Sequence, residues 1–365
     1  MIHFETIIFM KLRHTILTFG FAISFISSYV QAAEFKPTSI SDCTNIRLDK
    51  APSPLSKIKM YDMDGLLMCT AYATSYLVDA ERLRVDKNTN HLTSPLYLGI
   101  QYAKMKHLKN LEIDDALGVP RVVNKLRSCS YNAVSDNLAN ERYGKYDSYL
   151  EALGSAFTSK DTQLASSCLV HSGAGTSESF KQISNYINSD NYVDFVSGLF
   201  QDTCKNNEVP LNNLPPMITD NTIKYGANRA TALNALQQTF NETLEKGKPI
   251  GIDYCAKVLK NPSINGVGND GHLSTKPDDG CGYPTTHGYE AVGHSSTVVG
   301  RRLLKYQKDG KTGYVCQYLV RDVYGTSCSK YPPDKTADPS DTCDKGSVWV
   351  DEDAILYNTY ATFHF

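Results

Sequence analysis

The sequence predicts an α+β fold in which a helical half precedes a sheet-rich half, and three observations lead there. Residues from about 110 to 246 carry helical texture, in segments such as "DSYLEALGSAF", "ESFKQISNYI", "YVDFVSGLF" and "NRATALNALQQTFNETLEKG", separated by polar loops. From Pro249 the texture changes to short β-branched and aromatic runs: "PIGIDYCAKVL", "HSSTVVGRRLL", "YVCQYLVRDVY", "SVWVD" and "AILYNTYATFHF". Ahead of both, "DMDGLLMCTAYATSYLVDA" runs a polar, glycine-containing loop into an apolar, helix-like segment that begins at Cys69.

At the amino terminus, Lys11, Arg13 and His14 precede an apolar run over residues 16–30, followed by "QAA". Basic, then apolar, then small is the order of a secretory signal, and Met10 just ahead of it is a candidate start in place of Met1. The run is 15 residues long, short for a membrane span. The next 26 or so residues are rich in Pro and Ser without periodicity, which predicts an extended leader wrapping the fold. A helix is expected from Cys69 to about Arg84, and a second over 94–106 with Ser94-Pro95 at its start. In the β-rich half, "QKDGKTG" is expected to turn a hairpin.

With 365 residues and 41% hydrophobic content, the chain can bury one large core or two lobes. Its net charge of -2 and the absence of like-charge runs exclude a nucleic-acid partner. No later segment is apolar enough to span a bilayer, so no stable membrane insertion is expected once a signal is removed. Export to the periplasm or the extracellular space implies lasting disulfides, and the nine cysteines besides Cys69 are scattered without a CxxC pair. Ten cysteines make a disulfide the default for Cys69 also, unless a base stands beside it.

A thiol at a helix start is a plausible nucleophile, because the first turn's free N–H groups and dipole favour the thiolate. It needs a base, and the base an orienting group. "GHSSTVVGRR" puts His294 at the start of one expected strand, and "YLVRDVYGTSC" puts Asp322, 28 residues on, at the end of another. Neighbouring strands would join the imidazole to the carboxylate, with the Cys69 helix end facing them. "GVGNDG" at 266–271 has no helix after it and reads as a loop. No HExxH, P-loop or EF-hand pattern occurs, so no cofactor or metal is expected. The sequon "NET" at Asn241 lies in a helix-like run.

These residues resemble the papain-like cysteine peptidases. Members carry an Asp-Gln-Gly-type loop, a nucleophilic Cys, an aromatic and Ala-rich helix, a strand of His-Ala-Val-x-x-Val-Gly type, and a strand ending Asn-Ser-Trp-Gly. Here "DMDG", Cys69, "TAYATSYLVDA", "HSSTVVG" and "RDVYGTS" stand in that order. The resemblance implies a two-lobe fold, with a helical left lobe and a β-barrel-like right lobe. Residues 1–32 would then be the signal, 33–58 the leader, 59–247 the helical lobe with an insertion, and 248–365 the β-rich lobe. It further implies a Cys69–His294–Asp322 triad that hydrolyses peptides or proteins, an oxyanion hole using the Cys69 backbone, and Tyr324 shielding the triad where members have Trp. Three departures stand out. Met63 occupies the position of the oxyanion-hole Gln and donates no hydrogen bond. Asp322 replaces Asn, and Thr70 replaces the aromatic after the nucleophile. Two alternatives stay open: a weak or inactive relative that binds peptides or proteins, and a transglutaminase-like acyltransferase.

Overall fold

The computed structural model describes residues 35–63, 65–86, 91–138, 146–171, 177–221, 229–260, 293–308, 311–331 and 342–365. The expected signal and the loop at 266–271 lie outside them. An α+β arrangement results, with helices gathered in the first half of the chain and an antiparallel sheet in the second.

Helix α1 (Cys69–Asp86) and α2 (Pro95–Met105) pack together, and α2 starts as its sequence dictates, with Pro at the first turn and Ser94 Oγ accepting from Tyr97 N at 3.2 Å. The helical segment that follows comprises α3 (Gly118–Val122), α4 (Tyr131–Leu138), α5 (Tyr146–Ser159), α6 (Thr162–His171), α7 (Ser177–Tyr186), α8 (Tyr192–Lys205) and α9 (Arg229–Glu245). Within it, the polar loop "NNEVPLNNLPP" contributes a short strand, β3 (Glu208–Val209), which pairs with β2 (Ser128–Cys129) beside the Cys129–Cys204 disulfide.

The main sheet runs β4 (Ile218–Asp220), β10 (Thr359–His364), β5 (Ile250–Cys255), β6 (Gly293–Lys308), β7 (Lys311–Arg321), β9 (Ser347–Asp351), β8 (Cys343–Asp344). The expected hairpin is present, its β6–β7 register reaching Lys308 opposite Lys311. One strand expectation needs correction: the first part of "AILYNTYATFHF" belongs to helix α10 (Glu352–Asn358), and only the remainder is strand. Acidic Glu352 and Asp353 in its first turn favour the helix dipole, and burial of Ala354, Ile355 and Leu356 uses an apolar run that also suits a strand.

The leader is more ordered than its composition suggests. β1 (Ile46–Arg47) pairs with β6, and Cys43 is bonded to Cys316 of β7. Glu352 accepts from Thr38 N at 2.7 Å and from Tyr318 OH at 3.2 Å, pinning the leader's start. A Cβ at Gly300 would lie 2.6 Å from Ile46 O, so glycine is what lets β1 approach. Asn241, the sequon residue, spends its amide inside the fold: it accepts from Tyr318 OH at 2.7 Å and donates to Thr38.

A third disulfide joins Cys328 to Cys343, and Cys255 is also disulfide-bonded. No helix among the described residues is long and apolar enough to cross a membrane. Such disulfides suit an oxidising compartment.

Candidate active site

Cys69 is the first residue of α1. Met68 O accepts from Ala71 N at 2.9 Å and from Tyr72 N at 3.2 Å, so the helix opens with its first N–H groups lacking intrahelical partners beside the thiol. Two buried ties fix this helix end and body. Thr70 Oγ1 donates to Ala116 O at 2.8 Å, and Asp79 accepts from Tyr61 OH at 2.6 Å and from Thr93 N at 2.9 Å. The loop ahead of Cys69 is held by the strand end carrying Asp322: Met63 N donates to Val323 O at 2.7 Å, and Gly325 N to Tyr61 O at 2.9 Å. Gly325 has φ +75° and a Cβ there would sit 2.7 Å from Asp62 Oδ2, so this junction requires glycine.

His294 enters from β6, paired across the sheet with Tyr254 of β5. Its Nε2 lies 2.7 Å from Asp322 Oδ1, just past the end of β7, so neighbouring strands do bring the two together. Asp322 is 3% exposed and is fully occupied as an acceptor: Oδ1 takes Ser296 Oγ at 2.9 Å and Val323 N at 2.8 Å, and Oδ2 takes Tyr331 OH. Ser296 Oγ also meets Tyr254 OH at 3.0 Å. Tyr324 stacks on the imidazole, ring centroids 5.3 Å apart and planes within 8°, while Tyr254 meets it edge-on at 5.8 Å. Sequence reasoning named Tyr324 but missed Ser296, Tyr254 and Tyr331.

The thiol stands within the influence of this pair. His294 acts electrostatically on Cys69, and with its Nε2 taken by Asp322 the ring keeps Nδ1 for another partner. Cys69 is half-buried and is the free cysteine among the described residues. Burial raises its pKa, but the hydrogen bond and charge of His294, with the Ser295 N–H, outweigh it and hold the thiol below its ordinary value. Burial likewise lowers His294, yet the charge and hydrogen bond of Asp322 and the contact with Cys69 carry it well above the ordinary imidazole range. Asp322 sits below the usual carboxylate value: burial raises it, and the His294 charge more than reverses that. These directions favour a thiolate–imidazolium pair.

Met63, six residues ahead of Cys69, is 3% exposed and belongs to the hydrophobic core. Its thioether offers the site no donor, so an oxyanion here would rely on main-chain N–H groups at the α1 start.

A second carboxylate, also missed from sequence, is Asp253. It pairs in register with Ser295 and acts electrostatically on both Cys69 and His294. Burial pushes its carboxyl from 3.8 up to about 7, against the pull of the His294 charge. Ionising it in the fold therefore costs free energy, from nothing below the unfolded value to the full amount above pH 7. Asp253→Asn is accordingly expected to stabilise the protein at pH 8 by on the order of 2–4 kcal/mol and to change little at pH 4. Calorimetric melting at the two pH values checks this, and an equal shift at both would refute it.

A cavity of about 780 Å³ opens beside this helix start, walled by Leu66, Leu67, Leu111 and by Leu150 and Gly154 of α5, with Glu112 and Glu151 also lining it. Leu67 is 58% exposed there.

No family model and no curated protein sequence matches the chain. Among solved structures it is similar to xylellain, a cysteine protease from Xylella fastidiosa, with TM-score 0.38 and 13% identity, covering 92% of this chain and 90% of that one. It is also similar to SERA5E from Plasmodium falciparum, with TM-score 0.41 and 14% identity, covering 87% and 93%. Likenesses this distant do not carry an activity across.

Proposed function

We propose that the chain is an exported, thiol-dependent endopeptidase, with Cys69 as nucleophile, His294 as acid and base, and Asp322 as the group that orients and charges the imidazole. The observation that carries this reading is the buried His294 Nε2–Asp322 Oδ1 pair at 2.7 Å, with His294 acting on a free cysteine, Cys69, at a helix start and holding its thiol low. The Cys69 thiolate attacks the peptide carbonyl carbon, and the helix-start N–H groups take up the oxyanion. As the tetrahedral intermediate collapses, the C–N bond breaks and His294 gives its proton to the leaving amine. Water then adds to the thioester with His294 accepting its proton, and C–S cleavage releases the acid and restores the thiol pair. Tyr324, stacked on the ring, limits water access to the His294–Asp322 bond. The adjacent cavity suits an extended substrate, and the disulfides suit export.

The test is hydrolysis of an unstructured protein by the purified chain, with products identified by mass. Free carboxyl termini at new cleavage points are expected, and an absence of cleavage despite a reactive Cys69 would overturn the reading. Transfer of the acyl group to added amines would assign an acyltransferase instead.

One observation favours a weaker enzyme or a peptide-binding relative: the buried thioether of Met63 at the oxyanion position. Met63→Gln is expected to raise kcat by up to about 10²-fold with KM little changed, because the donor acts on charge that develops in the transition state. A change confined to KM would mean that this position lines the substrate cleft.

A further inference from the structure

Asp322 is a buried carboxylate whose only ion-pair partner among the described residues is His294. In the reaction above that partner becomes neutral when the imidazole gives its proton to the leaving amine. The carboxylate is then a buried charge without a cation, a state that an asparagine in the same place would never meet. Neutral donors must hold it through that step.

The structure supplies donors on both oxygens. Oδ1, besides facing His294, takes Ser296 Oγ at 2.9 Å and Val323 N at 2.8 Å. Ser296 spends its hydrogen there, so the Tyr254 hydroxyl, 3.0 Å from Ser296 Oγ, donates to it in turn. Oδ2 takes the Tyr331 hydroxyl at 2.5 Å. Tyr331 is itself buried and anchored: its N–H donates to Cys328 O at 3.1 Å, and Cys328 is disulfide-bonded to Cys343 of β8. Strand β8 pairs with β9, and β9 with β7, so Tyr331 is tied back to the strands whose end carries Asp322. The titratable groups about Asp322 are His294 from β6, Tyr254 from β5, and Tyr324 and Tyr331 beyond β7, with the Asp62 carboxylate acting on both of the last two. Burial and the charges of Asp322 and Asp62 keep the Tyr331 proton on its oxygen, so the hydroxyl acts as a donor.

We propose that Tyr331 is a positioning residue for the reaction, its hydroxyl fixing Asp322 as a carboxylate while His294 is neutral. This deepens the peptidase reading and rests on it. Without the hydroxyl, Oδ2 has no donor among the described residues, the neutral-imidazole state becomes costlier, and His294 gives up its proton less readily.

Tyr331→Phe keeps the buried ring and removes only the donor, so the fold persists and the chemistry reports the loss. With Asp322 in place, kcat for peptide hydrolysis is expected to fall about 10–10²-fold with KM little changed. In the Asp322→Asn background, where there is no charge to hold, the same substitution is expected to cost no more than about threefold. A carboxylate with one donor fewer protonates at higher pH, so the acid limb of the pH–rate profile should move up in Tyr331→Phe while the alkaline limb does not move down. Equal losses in the two backgrounds, a kcat within about twofold of wild type, or an acid limb that stays in place overturns the proposal. Failure of the peptidase reading is separately visible, because the native protein would then leave peptides uncut. The acid limb is in that case read from the rate of Cys69 alkylation by iodoacetamide: a move to higher pH in Tyr331→Phe supports the proposal, and an unmoved limb overturns it.

Discussion

Replacing Cys69 by alanine is expected to lower kcat for peptide hydrolysis by at least about 10⁴-fold, with the protein still folded. The loss is large because the attacking atom itself is removed; Cys69 is the free cysteine among the described residues, and Thr70 Oγ1 is committed to Ala116 O. The fold survives because no disulfide is lost and the side chain is only half-buried. The imidazole loses one of the contacts that raise its pKa, so His294 should titrate lower in the variant. Turnover measured beside thermal melting checks both halves of this expectation. Residual activity within tenfold of wild type would remove Cys69 from the mechanism.

The second large effect concerns Asp322, and it splits by substituent. Asp322→Ala strands the Ser296 hydroxyl, the Val323 N–H and the Tyr331 hydroxyl as well as the imidazole, so a drop in stability should accompany a fall in kcat of about 10²–10⁴-fold. Asp322→Asn keeps an acceptor for His294, and the Tyr331 hydroxyl can reverse to accept from the new amide. It should therefore recover most of the activity, with one change. Without the carboxylate charge His294 falls from its raised value, and the alkaline limb of the pH–rate profile moves to lower pH. The stability sign follows the same group. Its raised folded pKa gives a contribution fully present below about pH 6.5, the unfolded value. That contribution disappears as pH rises through the folded value, while the lowered pKa of Asp322 gives a contribution lost as pH falls below the unfolded carboxylate value of about 4, so the gap between wild type and Asp322→Asn should be widest between about pH 4 and pH 6.5. A positioning role is distinguished from a structural one by this rescue and pH shift, which mere loosening would not produce.

Much of the site was legible because its parts are local. A cysteine where a glycine-containing loop meets an apolar helix, a histidine opening one strand and an aspartate closing the next are each readable in a short window, and one hairpin joins the last two. Tyr324 came with Asp322, two positions along. Ser296 was readable in principle, since residues two apart on a strand share a face with His294. Asp253 and Tyr254 were not, because their place depends on the β5–β6 register across a long connection. Tyr331 depends on a turn anchored by the Cys328–Cys343 disulfide, and cysteine spacing alone does not fix pairing. The strand expected over "AILY" failed for a different reason: four apolar residues carry too little periodicity to separate a buried helix from a buried strand.

The central claim is that Cys69 is an armed thiolate at a peptide-binding site, and one measurement meets it directly. The native protein, never exposed to reductant, is treated near pH 6 with a peptide-like epoxide and then mapped by mass. One adduct per chain on Cys69 is predicted, formed far faster than on an ordinary thiol at that pH, because the His294 partnership holds this one below its usual value. A Cys69 found in a disulfide, or modified only after the chain is unfolded, would contradict the account.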